Sequence, residues 1–159
     1  MDIVIKDFSE LSAAKLHDIL RVRCDVFVVE QDCAYPDIDG NDPKATHLYV
    51  EQDGRVAACC RVLPKGVTFP TFAIGRLVTH PDFRGRGLAR KLMKRAMAYI
   101  LDEKGEQEVM ISAQKYLARF YAGLGFSVVS DEYIEDGISH LDMACDLTDR
   151  VFDRDMPIE

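Results

Sequence analysis

Apolar and polar positions along this chain alternate between two periods, and their succession predicts a mixed fold. Ile3 to Phe8 alternates as a strand does. Ser9 or Ser12 then stands where a helix cap belongs, and Leu16, Ile19, Leu20 and Phe27 share one face of a helix running to about Phe27. His47 to Gln52 and Arg55 to Leu63 read as strands joined by Asp53-Gly54, a strong two-residue hairpin signal. Phe69 to Thr79 is the next strand, interrupted by Gly75, a mark of a bulge or a close backbone approach. A long helix follows, with Ala89, Leu92, Met93, Ala96, Met97 and Ile100 on one face and Arg90, Lys91, Lys94 and Arg95 over most of the rest, ended by Gly105. Glu108 to Ala113 is a strand, and Tyr116 to Ala122 a short helix stopped by Gly123 or Gly125. Phe126 to Tyr133 and His140 to Asp146 form a last antiparallel pair around Asp136-Gly137. The order β-α-β-β-β-α-β-α-β-β predicts an α/β (α+β) fold, helices flanking a largely antiparallel sheet of about seven strands.

Between the first helix and the hairpin, residues 31–46 are acidic and turn-rich, with Asp32, Asp37, Asp39 and Asp42 among Pro36, Gly40 and Pro43. The D-x-D-G-x-D spacing suggests calcium, but the last ligand position of a calcium loop needs glutamate, and Tyr49 or Val50 occupies that region. A surface loop is the expectation. Arg23 falls on the apolar stripe of the first helix, seven residues past Leu16. A cation there must find a carboxylate, a ligand or a carbonyl, or snorkel from the edge of the face.

With 159 residues and 48% hydrophobic content, the chain is sized for one domain, residues 1–159. No apolar run approaches the ~18 residues of a membrane span, and the N-terminus lacks the regions of a signal peptide. The net charge of −7 argues against nucleic acid as the main partner. The five cysteines (Cys24, Cys33, Cys59, Cys60 and Cys145) show neither C-x-x-C nor zinc-finger spacing, so no metal is expected and the thiols fit a reduced, cytoplasmic protein. Cys59 and Cys60, adjacent on a strand, point to opposite faces and read as core.

The most informative stretch is Arg84-Gly85-Arg86-Gly87-Leu88-Ala89, between a strand and a helix. A helix start reached through glycines leaves backbone N–H groups unpaired at the positive end of the helix dipole, an arrangement suited to phosphate. A P-loop is excluded because no lysine followed by serine or threonine closes it. A dinucleotide fingerprint fails too, since Arg90 stands where its third glycine belongs. The remaining pattern, (Arg/Gln)-x-x-Gly-x-(Gly/Ala), resembles the pyrophosphate loop of the GNAT superfamily of acyl-CoA-dependent N-acyltransferases. Four blocks support the resemblance: Ile74 to Pro81 like the family's bulged strand, Phe120 to Phe126 like F-Y-x-x-x-G-F, and Val26–Gln31 and Tyr133–His140 like the small bacterial ElaA-like subgroup. Ser139 stands where that subgroup's pattern usually has proline.

The resemblance implies direct attack of an amine on the thioester of acetyl-CoA, with no covalent enzyme intermediate. By position, Leu77, Val78 and Thr79 match the segment that bonds the pantetheine arm. Arg84 through Arg90, with Gly85, Arg86, Gly87, Leu88 and Ala89 between them, match the loop that holds pyrophosphate. Tyr121 matches the tyrosine that donates to the CoA sulfur, with Tyr116 as runner-up. A backbone N–H near Val78 would serve the thioester carbonyl. Where many members place a glutamate, this chain has Gly75 and Arg76, which leaves Glu30, His140 and Glu135 as candidate bases; His140 has the best-suited reference pKa, ~6.5. The acceptor implied is a small-molecule amine, or the amine of a lysine or N-terminus. Monomer and homodimer both remain open. A non-catalytic acyl-CoA-binding regulatory module is the alternative, and a nucleic-acid surface around the basic helix is disfavoured by the overall acidity and the lack of aromatics among the basic residues.

Overall fold

Strand and helix lengths follow the apolar rhythm closely in the computed structural model, which describes residues 2–148 and 150. The strands are β1 (Ile3–Asp7), β2 (Thr46–Gln52), β3 (Arg55–Leu63), β4 (Phe72–Thr79), β5 (Glu108–Gln114), β6 (Ser127–Val128), β7 (Tyr133–Glu135) and β8 (Ile138–Asp146). The helices are α1 (Ala13–Arg23), α2 (Leu88–Asp102) and α3 (Ala118–Ala122). All eight strands form one sheet in the order β1-β2-β3-β4-β5-β8-β6, with β7 also on β8. Only β4 and β5 run parallel, which is what the α2 crossover between them requires.

Ser12 caps α1, its side chain accepting the Lys15 N–H at 3.0 Å. The helix does not stop at Phe27: residues Cys24–Glu30 continue it in wider turns, with Gln31 N bonded to the Val26 carbonyl and Cys33 N to that of Val28. The buried residues of this helix are Ile19, Val22, Arg23 and Val26, with Leu16, Leu20 and Phe27 only partly covered. The two predicted hairpins are present as two-residue turns with both central residues left-handed, Asp53 (φ 54°) with Gly54 (72°), and Asp136 (50°) with Gly137 (76°). The sheet has one strand more than the apolar pattern predicts, because Phe126 to Tyr133 splits into β6 and β7. Ser130 lies at the break, where its hydroxyl takes the Asp142 N–H at 2.8 Å in place of a backbone carbonyl.

Each face of the sheet carries its own core. Leu48, Cys60 and Val62 pack beneath Leu88, Leu92, Met93, Ala96, Met97 and Ile100 of α2. On the opposite face Tyr49, Cys59 and Val78 meet Ile19, Val22 and Val26 of α1. Cys59 and Cys60 therefore sit on opposite faces, both buried, and burial pushes both thiols up. Among the described residues no helix is long and apolar enough to cross a membrane.

Candidate functional site

The sheet opens at its centre. β4 pairs with β5 only at Phe72–Val109 and Ala73–Met110, after which the two strands part. On its other side β4 pairs with β3 through Gly75–Arg61, then resumes at Val78–Cys59. Two residues, Arg76 and Leu77, thus stand against the single Cys60, a β-bulge. The glycine expected to mark it is regular; the left-handed residue is its neighbour Arg76, at φ 52°. That conformation costs a side-chain-bearing residue about 1–2 kcal/mol, so something must hold it.

The holder is the acidic loop. Arg76 Nε lies 2.9 Å from Asp37 Oδ1, and its Nη2 donates to the Asp37 carbonyl at 3.1 Å and to Asp39 at 3.4 Å. Arg23 donates to Asp37 Oδ2 at 3.0 Å, to Asp42 Oδ1 at 2.7 Å and to the Asp37 carbonyl at 2.9 Å. Arg61 reaches Asp42 Oδ1 at 3.0 Å and grips both oxygens of Asp39 at 2.9 and 2.6 Å. Tyr35 donates to Asp37 Oδ1 at 2.7 Å. The loop lies at the surface as expected, with Asp32, Pro36, Ile38 and Gly40 exposed, but two of its carboxylates turn inward: Asp37 and Asp42 are buried, and Arg23 is 1% exposed. Arg23 neither snorkels nor awaits a ligand. Burial alone would raise Asp39 and Asp42, but their arginine partners outweigh it and hold both carboxyls below the ordinary range.

At the far end of β4 a short turn, Pro81–Phe83, leads into the glycine loop. Gly85 (φ 78°) and Gly87 (φ 72°) are both left-handed, and Gly87 is the α2 N-cap. No side chain caps this helix, and its first intrahelical bond is Lys91 N to the Gly87 carbonyl. The N–H groups of Leu88, Ala89 and Arg90 therefore point outward from the helix start. A Cβ at either glycine would meet nothing within 4 Å, so open space adjoins the loop. Arg84 is tied elsewhere, its two terminal nitrogens on both oxygens of Glu30 at 2.7 and 2.9 Å and its Nε on the Thr79 carbonyl at 3.3 Å. Arg86 leans over the Phe83 ring and donates to Gln52 at 3.1 Å. Arg90 extends toward Gly123 at the end of α3.

Tyr121 is nearly buried between Phe120 and Phe126, edge-on to both rings. Burial pushes its phenol well above the ordinary value, with the neighbouring Cys60 and Tyr116 adding to the rise. Tyr116, by contrast, is 71% exposed. His140 lies near the start of β8, opposite Gln114 of β5 and Tyr133 of β7, and its ring stacks on Tyr133. Its Nδ1 lies 2.8 Å from the Ile138 carbonyl, so Nδ1 carries the proton and the Nε2 lone pair is left available. Glu135 lies 4.0 Å from that Nε2. Gln114 donates to Gln31 at 3.3 Å, which links His140's neighbour to the end of the first helix, beside Glu30. No hydrogen bond, ion pair or ring contact joins Tyr121 to His140 or Glu30 among the described residues.

Residues 9–147 match the acetyltransferase (GNAT) domain family. The chain belongs to this family. Among its relatives are a UPF0039 protein of Schizosaccharomyces pombe, 39% identical over 92% of this chain and 98% of that protein, and protein ElaA of Escherichia coli, 36% identical over 86% and 90%. The crystal structure of E. coli ElaA superposes with a TM-score of 0.85 at 33% identity, covering 92% of this chain and all of that one. An acyl-CoA N-acyltransferase from Pseudomonas aeruginosa superposes equally well, 0.85 at 34%, covering 91% and 99%.

In this GNAT chain the residues named from sequence are spread over several elements. Leu77 to Thr79 lie at and beyond the bulge, Arg84 to Gly87 on the glycine loop and Leu88 to Arg90 in the first turn of α2, Glu30 at the end of the first helix against Arg84, Tyr121 in α3, and His140 on β8, across β5 from β4. Sequence reasoning missed Arg76, Asp37 and Arg61, whose partners lie far apart in the chain. It also missed Tyr133, whose hydroxyl is bonded to Ser112 Oγ and donates to Asp142 at 2.6 Å. One signal was readable: His140 and Asp142 are two apart on a strand, hence on one face.

Proposed function

We propose that this GNAT protein is an acetyl-CoA-dependent N-acetyltransferase, a single domain over residues 1–159, acting on a small-molecule amine or on the amine of a lysine or N-terminus. The observation that carries the reading is the pairing of β4 and β5, lost after two positions just where β4 bulges and then runs into an uncapped helix start. The pyrophosphate of acetyl-CoA would sit on the N–H groups of Leu88, Ala89 and Arg90, with Gly85 and Gly87 giving it backbone access and Arg84 and Arg86 adjacent positive charge. Its pantetheine arm would run along Leu77, Val78 and Thr79, whose edge β5 leaves unpaired. A backbone N–H near Val78 is the donor for the thioester oxygen as it gains charge.

His140 is the base best served by its surroundings: the Ile138 carbonyl fixes its tautomer, and Nε2 can take the ammonium proton. The neutral amine then attacks the carbonyl carbon, the C–S bond breaks, the thiolate leaves, and the amide nitrogen sheds its surplus proton to solvent. Tyr121 stabilises that thiolate by donating a hydrogen bond, without surrendering its proton. A phenol raised above ~10 is a weaker acid than a thiol of pKa near ~8.5, so the proton reaches sulfur from solvent. Glu30 has both carboxylate oxygens on Arg84 and serves as a brace rather than a base. This chemistry needs no metal, and it suits a cytoplasmic protein with free thiols.

Thermal shift with acetyl-CoA, combined with free-thiol release across an amine panel, tests the reading. Saturation at ~100 times the dissociation constant adds roughly 2.7 kcal/mol of stability, several degrees of melting temperature. ATP and NAD should do much less. A shift with no thiol release from any amine would instead identify a non-catalytic acyl-CoA-binding module. No shift at millimolar acetyl-CoA would overturn both.

A further inference from the structure

We propose that Arg76 is a positioning residue: held by the buried Asp37 of the aspartate loop, its guanidinium keeps the β4 bulge open at the reactive end of the acyl-CoA site. The inference rests on the reading of β4 as the acyl-CoA strand. Three observations carry it. Arg76 adopts a left-handed backbone, φ 52°, at the bulge itself, although a glycine stands one residue before it. Its guanidinium makes an ion pair and two hydrogen bonds to one residue, Asp37, through Oδ1 and the backbone carbonyl. Asp37 is itself immobilised, because Arg23 from α1 takes its Oδ2 and its carbonyl, and Tyr35 takes its Oδ1.

The chain of contacts therefore runs from the helix core to the bulge. Arg61, the register partner of Gly75, enters the same aspartate cluster from β3 through Asp39 and Asp42. The bulge is thus gripped on both strands that form it, by one loop. A mobile bulge would scatter the N–H groups of Leu77 and Val78, whereas charge stabilisation in the transition state needs donors fixed in advance. No hydrogen bond or ion pair joins residues 31–46 to the glycine loop among the described residues, so the grip of Asp37 acts chiefly on the thioester end of the ligand.

That separation defines the test. In Arg76→Gly the backbone adopts φ near +52° without strain, but nothing grips it. We expect kcat to fall by about tenfold or more, with the ~10²–10³ typical of losing an oxyanion donor as the upper bound. Acetyl-CoA affinity should fall as well. The affinity for adenosine 3′,5′-bisphosphate, which reaches only the glycine loop, should stay within about twofold of the parent. Asp37→Asn should move kcat in the same direction by less, and Arg76→Lys, whose ammonium lacks a planar fork, should not restore the parent rate. If Arg76→Gly fails to fold, Arg76→Lys decides the matter. Parent values of kcat and acetyl-CoA affinity in the variants would overturn the inference, whatever their melting temperatures. Equal loss of both ligands would overturn it too, by showing a general effect on the fold. A parent protein that binds no acetyl-CoA would instead overturn the reading of the site.

Discussion

Two loops flank β4, and they are built on opposite principles. The glycine loop, residues 84–87, is exposed and shaped by its own backbone, with positive φ at Gly85 and Gly87 and no side-chain cap on α2. The aspartate loop is shaped by side chains it does not own: Arg23, Arg61 and Arg76 arrive from α1, β3 and β4 to meet Asp37, Asp39 and Asp42. The first keeps its backbone N–H groups free, and the second has already paired its carboxylates within the protein. Exposed, unpaired N–H groups are open to a ligand; carboxylates paired inside the protein are a support.

The contrast is broken most directly by Arg23→Ala. It leaves Asp37 and Asp42 buried with less compensation, and loss of one partner from a buried ion pair costs about 3–5 kcal/mol. For a chain of this size that is about 10 °C or more in melting temperature. An unchanged melting temperature would show that the cluster is not a support at all.

Gly87→Asp probes the other loop. The folded protein has open space where the new Cβ would stand, and the left-handed backbone there, φ 72°, costs a side chain about 1–2 kcal/mol, so the variant should fold with a lower melting temperature. Its carboxylate would occupy the position proposed for phosphate, and acetyl-CoA affinity should fall by about a hundredfold or more, ~2.7 kcal/mol. Binding at parent strength in a titration would assign this loop another task.

These two variants also mark the limit of what the sequence discloses. Glycine spacing, the Asp53-Gly54 turn and the apolar face of α2 are local properties, and each appears in the structure where the pattern puts it. The aspartate loop has the same local signature as any acidic surface turn: prolines, a glycine and exposed-looking carboxylates. What makes it different is that Arg61 and Arg76 lie 22 and 39 residues from Asp39 and Asp37, across strands whose register no local pattern fixes. The bulge was misplaced by one residue for the same reason. Gly75 is permissive, but the left-handed position is set by Asp37's grip on its neighbour. Tyr121 was legible from its motif, and the stacking of His140 on Tyr133 was not, because it depends on the pairing of β7 with β8.

Acid titration sharpens the comparison further. Burial opposes, but Arg61 prevails, and the folded Asp39 carboxyl sits well below its unfolded value of ~3.9. A depressed carboxyl stabilises the fold above that unfolded value and loses the contribution as pH falls through the folded one. The parent should therefore lose melting temperature from pH 5 toward pH 3. Asp39→Asn should start lower at pH 7, by about 1–3 kcal/mol for a lost charge-assisted bond, and then fall less steeply. A slope as steep as the parent's would move the acid sensitivity to other carboxyls.

The smallest effect belongs to an ion pair on the glycine loop, Arg84 with Glu30, whose side chains are 45% and 42% exposed. Its bidentate geometry resembles that of Arg61 with Asp39, but water screens it, and exposed pairs are worth about 0.2–1 kcal/mol. Glu30→Gln should leave the melting temperature nearly unmoved. It removes a negative charge beside a site proposed for pyrophosphate and frees Arg84, so acetyl-CoA should bind more tightly, by at most about fivefold, and more so at low salt. The rate of the chemical step should persist, since both Glu30 oxygens are already committed to Arg84, which holds the carboxyl below its ordinary range. Steady-state kcat measured beside a binding titration at two salt concentrations separates the outcomes. A fall in kcat of ~10²-fold or more, the scale of a lost general base, would transfer that role from His140 to Glu30. Weaker binding would show that Glu30 holds Arg84 in place for phosphate, which would make the exposed pair a support after all.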